Sequence, residues 1–292
     1  MQEVMMTERS DQLRTFYARY VALCAGTGDP RIEAAFAAVK REDFLGPGPW
    51  FLPGGVDAMG AGRGYFQSPD ADLAFIYQDV LVALDPARGL NNGEPSLHAR
   101  CLDAAAVQDG EAVLHVGAGT GYYSAILAQL AGQRGRVHAY EIDPELAARA
   151  AQNLAGLDNV GLRAESGVAA DLPKVNAIYV NAGTTQPAWV WLDALQPGGR
   201  LLFPLQQEGG FGAMLLVTKP VDGGLAWPAR FVCRCGFVPL AGRQDDALGR
   251  ELTRAFRGNW QHVRTLRLDG KPDETCWVSG GDWWLSTDGI SD

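Results

Sequence analysis

Hydrophobic positions along this chain repeat with two periods, and their alternation outlines a fold. Over residues 8–24 the apolar side chains Leu13, Phe16, Tyr17, Tyr20 and Val21 fall on one helical stripe. A second helix is predicted in DPRIEAAFAAVKREDFL, with Asp29 as cap, Pro30 in the first helical position, and Ile32, Ala35, Phe36 and Val39 facing inward. Gly46–Gly64 is rich in Gly and Pro and predicts an irregular excursion. Ala74–Leu84 is strongly apolar, and periodicity leaves it open between strand and helix. Asn91, Asn92 and Gly93 then form a polar turn, and Pro95 starts a helix through Leu97, Cys101 and Leu102.

From residue 112 the pattern becomes that of a βαβ unit. Val113, Leu114 and Val116 make a run suited to a buried parallel strand. Gly117, Gly119 and Gly121 follow at once, where bare backbone permits a sharp turn and close approach of a ligand. Tyr122, Ile126, Leu127 and Leu130 recur at helical spacing, and Val137–Tyr140 is the next strand, with Glu141 at its carboxyl end. A carboxylate there is placed to hold ribose hydroxyls. The spacing is G-x-G-x-G, not the G-x-G-x-x-G of a pyrophosphate cradle, which favours a nucleoside without phosphates over a dinucleotide. GAGTGY followed by EID resembles the S-adenosylmethionine loop of class I methyltransferases.

Further on, Asp143 and Pro144 start a helix whose Leu146, Ala147, Ala150 and Leu154 face inward. Strands are predicted at 159–163, 176–181 and 200–205, with a helix at 189–195. Met214–Thr218 and Phe231–Leu240 read as an antiparallel pair. Residues 244–258 form a charged amphipathic helix, and Val263–Leu268 and Cys276–Leu285 a closing pair of strands rich in tryptophan.

The 292 residues allow one large domain or two small ones. A net charge of -9 argues against nucleic acid as a partner. No apolar run has the length of a membrane span, and the polar N-terminus does not read as a signal peptide. Five cysteines without a C-x-x-C pair read as reduced thiols in a cytoplasmic protein, and no metal site is expected.

Residues ~29–240 also resemble the protein-L-isoaspartate O-methyltransferase family. The matching segments are AFAAVKREDFLGP, NNGEPSLHA, VLHVGAGTGYYSAILAQL, AYEIDPELAARAAQNL, NAIYVNAG, LDALQPGGRLLFPL and CGFVPLAG, in the family's order. The resemblance implies an α/β fold: a doubly wound, mostly parallel sheet (class I methyltransferase, Rossmann-like) with an antiparallel C-terminal strand. N-terminal helices and a C-terminal α+β extension are added to it. The expected division is 1–75, 76–242 for the methyltransferase domain, and 243–292. The implied activity is S-adenosylmethionine-dependent methylation of a carboxylate of a peptide or protein. Three competitors remain open: a small-molecule methyltransferase, a non-catalytic S-adenosylmethionine-binding protein, and a nicotinamide-dependent oxidoreductase.

Three departures stand out. The family's T-I-S-x-P turn is matched here by Asn91 at the threonine and Gly93 at the serine. Its G-D-G is Glu165-Ser166-Gly167, and the last ~50 residues lie outside the matching part. The expected cofactor contacts are Gly117, Ala118, Gly119, Thr120 and Gly121 to methionine and ribose, Glu141 to the ribose hydroxyls, Ile142 against adenine, and Ser166 and Gly167 at the adenine edge. Asn91, Asn92 and Gly93 are expected to roof the reacting methyl and serve the catalytic step, with Asn91 and Asn92 also contacting the cofactor. The resemblance places His98 at the cofactor's carboxylate. Glu94 is left between substrate orientation, base and solvated charge. Asn181 is left between acceptor site and turn, and His115 reads as a core histidine. A carboxylate acceptor is already ionised at neutral pH, so no acid–base dyad is required.

Overall fold

The computed structural model describes residues 2–55, 64–169, 171–207, 210–242 and 244–290. Three helices come first: α1 (Gln2–Ala25), α2 (Pro30–Ala38) and α3 (Glu42–Leu45). Asp29 caps α2 by accepting from the Arg31 amide at 2.9 Å, with Pro30 behind it. The inward face of α1 differs from the predicted stripe. Tyr17, Ala18, Val21 and Ala25 are buried, whereas Phe16, Tyr20 and Leu23 lie outside. Small alanines let α1 approach α2 and α4 closely, and residues 16 and 20 sit a quarter-turn away from that contact.

The Gly- and Pro-rich excursion contains a short antiparallel hairpin, β1 (Phe51–Pro53) with β2 (Tyr65–Gln67); residues 56–63 of it lie outside the described residues. The apolar run 74–84 is neither one helix nor one strand. It holds a 3₁₀ turn (Leu73–Phe75), an irregular stretch and β3 (Ala83–Asp85), which pairs with β4 (Leu90–Asn91). The cause is Arg41, which is fully buried. Its guanidinium takes the carbonyls of Ile76, Gln78 (3.0 Å) and Val80 (2.7 Å). Those acceptors are thereby withheld from a helix or a ladder.

Then follow α4 (Pro95–Ala105), β5 (Ala112–Val116), α5 (Tyr122–Ala131), β6 (Arg136–Tyr140), α6 (Pro144–Asn153) and β7 (Val160–Arg163). After them come β8 (Val175–Val180), α7 (Trp189–Ala194), β9 (Leu195–Leu205), β10 (Gly212–Thr218) and β11 (Ala226–Cys235). The chain ends with α8 (Asp246–Ala255), β12 (Thr265–Arg267), β13 (Cys276–Ser279) and β14 (Trp284–Ser286).

One ten-stranded sheet runs in the order β13-β14-β12-β11-β10-β9-β8-β5-β6-β7. The five strands from β9 to β7 are parallel, and β10, β11 and the C-terminal strands are antiparallel. This is the doubly wound class I methyltransferase arrangement. The tryptophan-rich end extends the same sheet with three strands instead of closing as a pair. A turn at Gly280–Gly281, with Gly281 at φ +89°, splits the predicted Cys276–Leu285 run in two. Both sheet faces are covered, so β5 alternates between two cores, with Val113 in one and Leu114 in the other.

Sheet order reverses between β5 and β8, and the crevice outside their carboxyl ends is where such folds take ligands. The strand expected at 231–240 leaves the sheet at Cys235. Gln206 holds the departing segment, donating to the Phe237 carbonyl (2.8 Å) and accepting from its amide (2.9 Å). Phe237, Val238 and Pro239 therefore form a wall over the crevice, tied to Gly183 by one isolated parallel bridge instead of a continued ladder.

Candidate active site

The glycine turn is built by its backbone. After β5, the amides of Gly117 and Ala118 both donate to the Tyr140 carbonyl, at 2.9 and 3.0 Å. Gly117, Gly119 and Gly121 all have positive φ (75°, 59° and 97°), which L side chains rarely adopt. A Cβ on Gly121 would strike Leu154 at 2.9 Å, so this glycine serves packing. A Cβ on Gly119 would meet only Leu84, at 4.0 Å: beyond this turn lies open space.

Glu141 faces the turn. Its Oε2 accepts from the Gly119 amide at 2.7 Å and its Oε1 from the Asp143 amide at 2.9 Å. It is only 6% exposed. Burial raises its pKa, and the two amides oppose that rise. Asp143 caps α6 through the amides of Glu145 and Leu146, fixing the strand end that carries Glu141.

Two adjoining clefts open on this turn. The smaller, about 260 Å³, is lined by Glu141, Ile142, Ser166 and Gly167. Ile142 is 58% exposed, an apolar side chain left in the open at the rim of a crevice whose lining also includes Leu84, Leu146 and Leu240. Gly167 packs on Val116, which a Cβ would approach to 2.5 Å, and its carbonyl is held by Trp191 Nε1 at 2.8 Å. Ser166 closes a local turn through the Val168 amide, at 3.4 Å. The larger cleft, about 530 Å³, is lined by Asn91–Glu94, His98, Gly117–Thr120, Tyr122, Tyr123, Phe211, Arg234 and Phe237. Asn91, Gly117, Gly119 and Asn181 border both. Of the twelve residues expected at the cofactor, the structure thus brings all but Gly121 to one or other cleft.

The polar turn has a defined construction. Asn91 Oδ1 accepts from the Gly93 amide at 2.9 Å, an Asx turn. Asn92 Oδ1 accepts from the Val82 amide (3.0 Å) and Arg41 (3.3 Å), while its Nδ2 has no partner. Gly93 is at φ +75°, and a Cβ there would stand 2.0 Å from His98 Nε2. His98 is buried, stacked on Tyr123 with ring centroids 3.6 Å apart, and paired through Nδ1 with the Tyr179 hydroxyl at 2.7 Å. Burial, then the nearby His115 and Arg41, hold its pKa well below the ordinary value, so it is a neutral imidazole.

Sequence reasoning gave Asn181 two roles and gave Arg41, Ser124 and Phe211 none. His115 is a core histidine as read, but its two nitrogens link Ser124 Oγ (2.7 Å) to Asn181 Nδ2 (2.8 Å) at the cleft border. A polar residue ending the apolar run NAIYVN was the available signal for Asn181. Nothing local marks Arg41, whose partners are carbonyls 35–39 residues away. Among the described residues no group of three or more His, Cys, Asp or Glu is arranged to hold a metal, and no helix is long and apolar enough to cross a membrane.

A family model described as Protein-L-isoaspartate(D-aspartate) O-methyltransferase (PCMT) matches residues 63–245. The chain belongs to this family. Among curated relatives, Protein-L-isoaspartate O-methyltransferase 2 of Anaeromyxobacter sp. (strain Fw109-5) is 38% identical over 216 residues, 71% of this chain and 76% of the relative. The Brucella anthropi Protein-L-isoaspartate O-methyltransferase is 30% identical over 223 residues, 70% of this chain and 90% of the relative. The fold matches a solved protein-L-isoaspartate O-methyltransferase at a TM-score of 0.63, with 21% identity, covering 85% of this chain and 69% of that one. A Plasmodium falciparum beta-aspartate methyltransferase in complex with S-adenosyl-L-homocysteine matches at 0.58, with 16% identity, covering 78% and 97%. Membership of the protein-L-isoaspartate O-methyltransferase family makes this an S-adenosylmethionine-dependent methyltransferase. The open space at Gly119, the buried carboxylate beside it and the unpaired amide atoms at the cleft wall fit such a cofactor.

Proposed function

We propose that this protein transfers the methyl group of S-adenosylmethionine to the free α-carboxylate of isoaspartyl residues in peptides and proteins. The observation that carries the reading is the Gly119–Glu141 contact at 2.7 Å beside open space, in a chain of this family. Gly117–Thr120 would hold the methionine and ribose portions, Glu141 the ribose hydroxyls, and Ile142, Ser166 and Gly167 the adenine. S-adenosylmethionine supplies, when bound, a methyl group on a positively charged sulfur.

The chain's own task is positioning and exclusion of water. Its buried ring side chains in the larger cleft are tuned away from proton transfer, while the pKa of Glu94 there is raised by burial and by Asp79. Burial lowers His98 and raises Tyr122 and Tyr123. An ionised carboxylate needs no base, so this tuning suits it better than an alcohol or amine. Arg234 is the one cation among the described residues lining either cleft, and it supplies the attraction such an acceptor needs beside Glu94 and Glu141. Five free cysteines support a cytoplasmic setting, and the net charge of -9 supports a peptide over a nucleic acid as partner.

A second reading has one specific observation in its favour. Where the family's serine is matched, Gly93 abuts His98 and leaves no room for a side chain. That reading is a protein that binds the cofactor without transferring the methyl. Incubation with S-adenosylmethionine and an isoaspartyl peptide, beside the aspartyl isomer, separates the two by mass spectrometry. A methyl ester on the isoaspartyl peptide alone, with S-adenosylhomocysteine released, is the expected result. Cofactor binding without either product supports the second reading.

A further inference from the structure

Two asparagines at the cleft wall each keep one buried amide atom without a hydrogen-bond partner, and the two atoms are of opposite sense. At Asn92, the donors on Oδ1 fix how the amide is turned and leave Nδ2 as a donor without an acceptor. At Asn181, Nδ2 meets His115 Nε2, and Oδ1 is an acceptor without a donor. His115 is fully buried, and burial pushes its pKa down to about 3. The neutral ring carries one proton. With that proton on Nδ1, facing Ser124, Nε2 accepts from Asn181. Both asparagines line the larger cleft, beside the bare main chain of Gly117–Thr120. Buried polar atoms left unpaired in this way are costly, and a ligand that pairs them recovers that cost.

We infer that Asn92 and Asn181 clamp the amino-acid end of the cofactor, the α-carboxylate on Asn92 Nδ2 and the α-ammonium on Asn181 Oδ1. The inference rests on the S-adenosylmethionine reading above. A zwitterion is the chemistry that matches one neutral donor and one neutral acceptor, because its own charges cancel. The methyl-accepting carboxylate does not fit Asn181 Oδ1, since an ionised carboxylate brings only lone pairs. His115 and Ser124 are positioning residues: they keep the Asn181 amide turned with its oxygen towards the ammonium. The position of Asn181, bordering both clefts, places that ammonium between the ribose side and the acceptor side.

The test compares two ligands on the full chain by calorimetry. S-adenosylhomocysteine carries both amino-acid groups; 5′-methylthioadenosine has the same nucleoside thioether and neither group. Asn181→Ala removes the acceptor. Asn92→Asp keeps the Oδ1 contacts to Val82 and Arg41 and replaces the donor by a carboxylate oxygen. Each variant should weaken S-adenosylhomocysteine about tenfold or more and leave 5′-methylthioadenosine within about twofold. Retained binding of the smaller ligand also shows that the variant is folded. Nitrogen NMR of His115 in the S-adenosylhomocysteine complex should show Nδ1 protonated and Nε2 bare. Equal weakening of both ligands, unchanged S-adenosylhomocysteine binding, or a protonated Nε2 would overturn the clamp. If the wild type binds neither ligand, the nucleoside reading itself fails, and the clamp with it.

Discussion

Gly93 and His98 occupy space that only one of them can fill: a Cβ on residue 93 would stand 2.0 Å from the imidazole Nε2. The imidazole is not free to withdraw. Tyr123 stacks on one face and Tyr179 holds Nδ1. Gly93 is also at φ +75°, where a side chain is strained in any case. Replacing Gly93 with Ser should therefore lower stability by about 1–3 kcal/mol, read from urea midpoints. Combining it with His98→Ala should cost less than the sum of the two single changes, because the clash is shared. Strict additivity would refute the steric coupling.

Acid sensitivity follows from His115. Its folded pKa, about 3, lies below the ordinary value of about 6.5. In that window the unfolded chain binds more protons, so folding stability falls as pH drops from about 6.5 towards 3 and is recovered above it. His98, also lowered, adds in the same direction. A His115→Asn variant should show a flatter decline in urea midpoint between pH 7 and 5 than the wild type. Parallel curves would show that His115 is not held neutral by the fold.

On the acceptor side, Glu94 and Arg234 should behave differently. Glu94 is the N-cap residue of α4 but makes no side-chain cap bond, and its pKa is raised by burial and by Asp79. If the acceptor is a carboxylate, Glu94→Gln should leave turnover and its pH profile unchanged. Arg234→Ala should raise KM for an isoaspartyl peptide by about 10-fold with S-adenosylhomocysteine affinity unaltered, as for loss of an interaction with a charged group. A turnover that falls with pH in wild type but not in Glu94→Gln would instead mark Glu94 as a base.

How much of this was legible in the sequence depends on the range of the interaction. The capped helices at Asp29 and Asp143 are local devices encoded by residues a few positions apart, and the glycine turn and Glu141, 22 positions apart, belong to one βαβ unit. The family resemblance fixed the sheet's class. Long-range partners were invisible. Arg41 captures the carbonyls of a segment whose apolar pattern suited either strand or helix. Gln206 peels 236–240 off the sheet edge, so the strand ends before its apolar pattern does. Asn181 could be named as a cleft residue, but its unpaired oxygen depends on His115 and Ser124, 66 and 57 positions away in the chain. The outer position of Phe16 and Tyr20 was misread because alanines, not aromatics, set the helix contact.

The crevice between bare main chain and Glu141 is tested most directly by calorimetric titration of the full chain with S-adenosylhomocysteine, before and after Glu141→Ala. The account predicts binding to the wild type, weakened in the variant by on the order of 10- to 100-fold, as for loss of buried hydrogen-bond partners. Absence of binding to the wild type, or equal affinity in the variant, would contradict it.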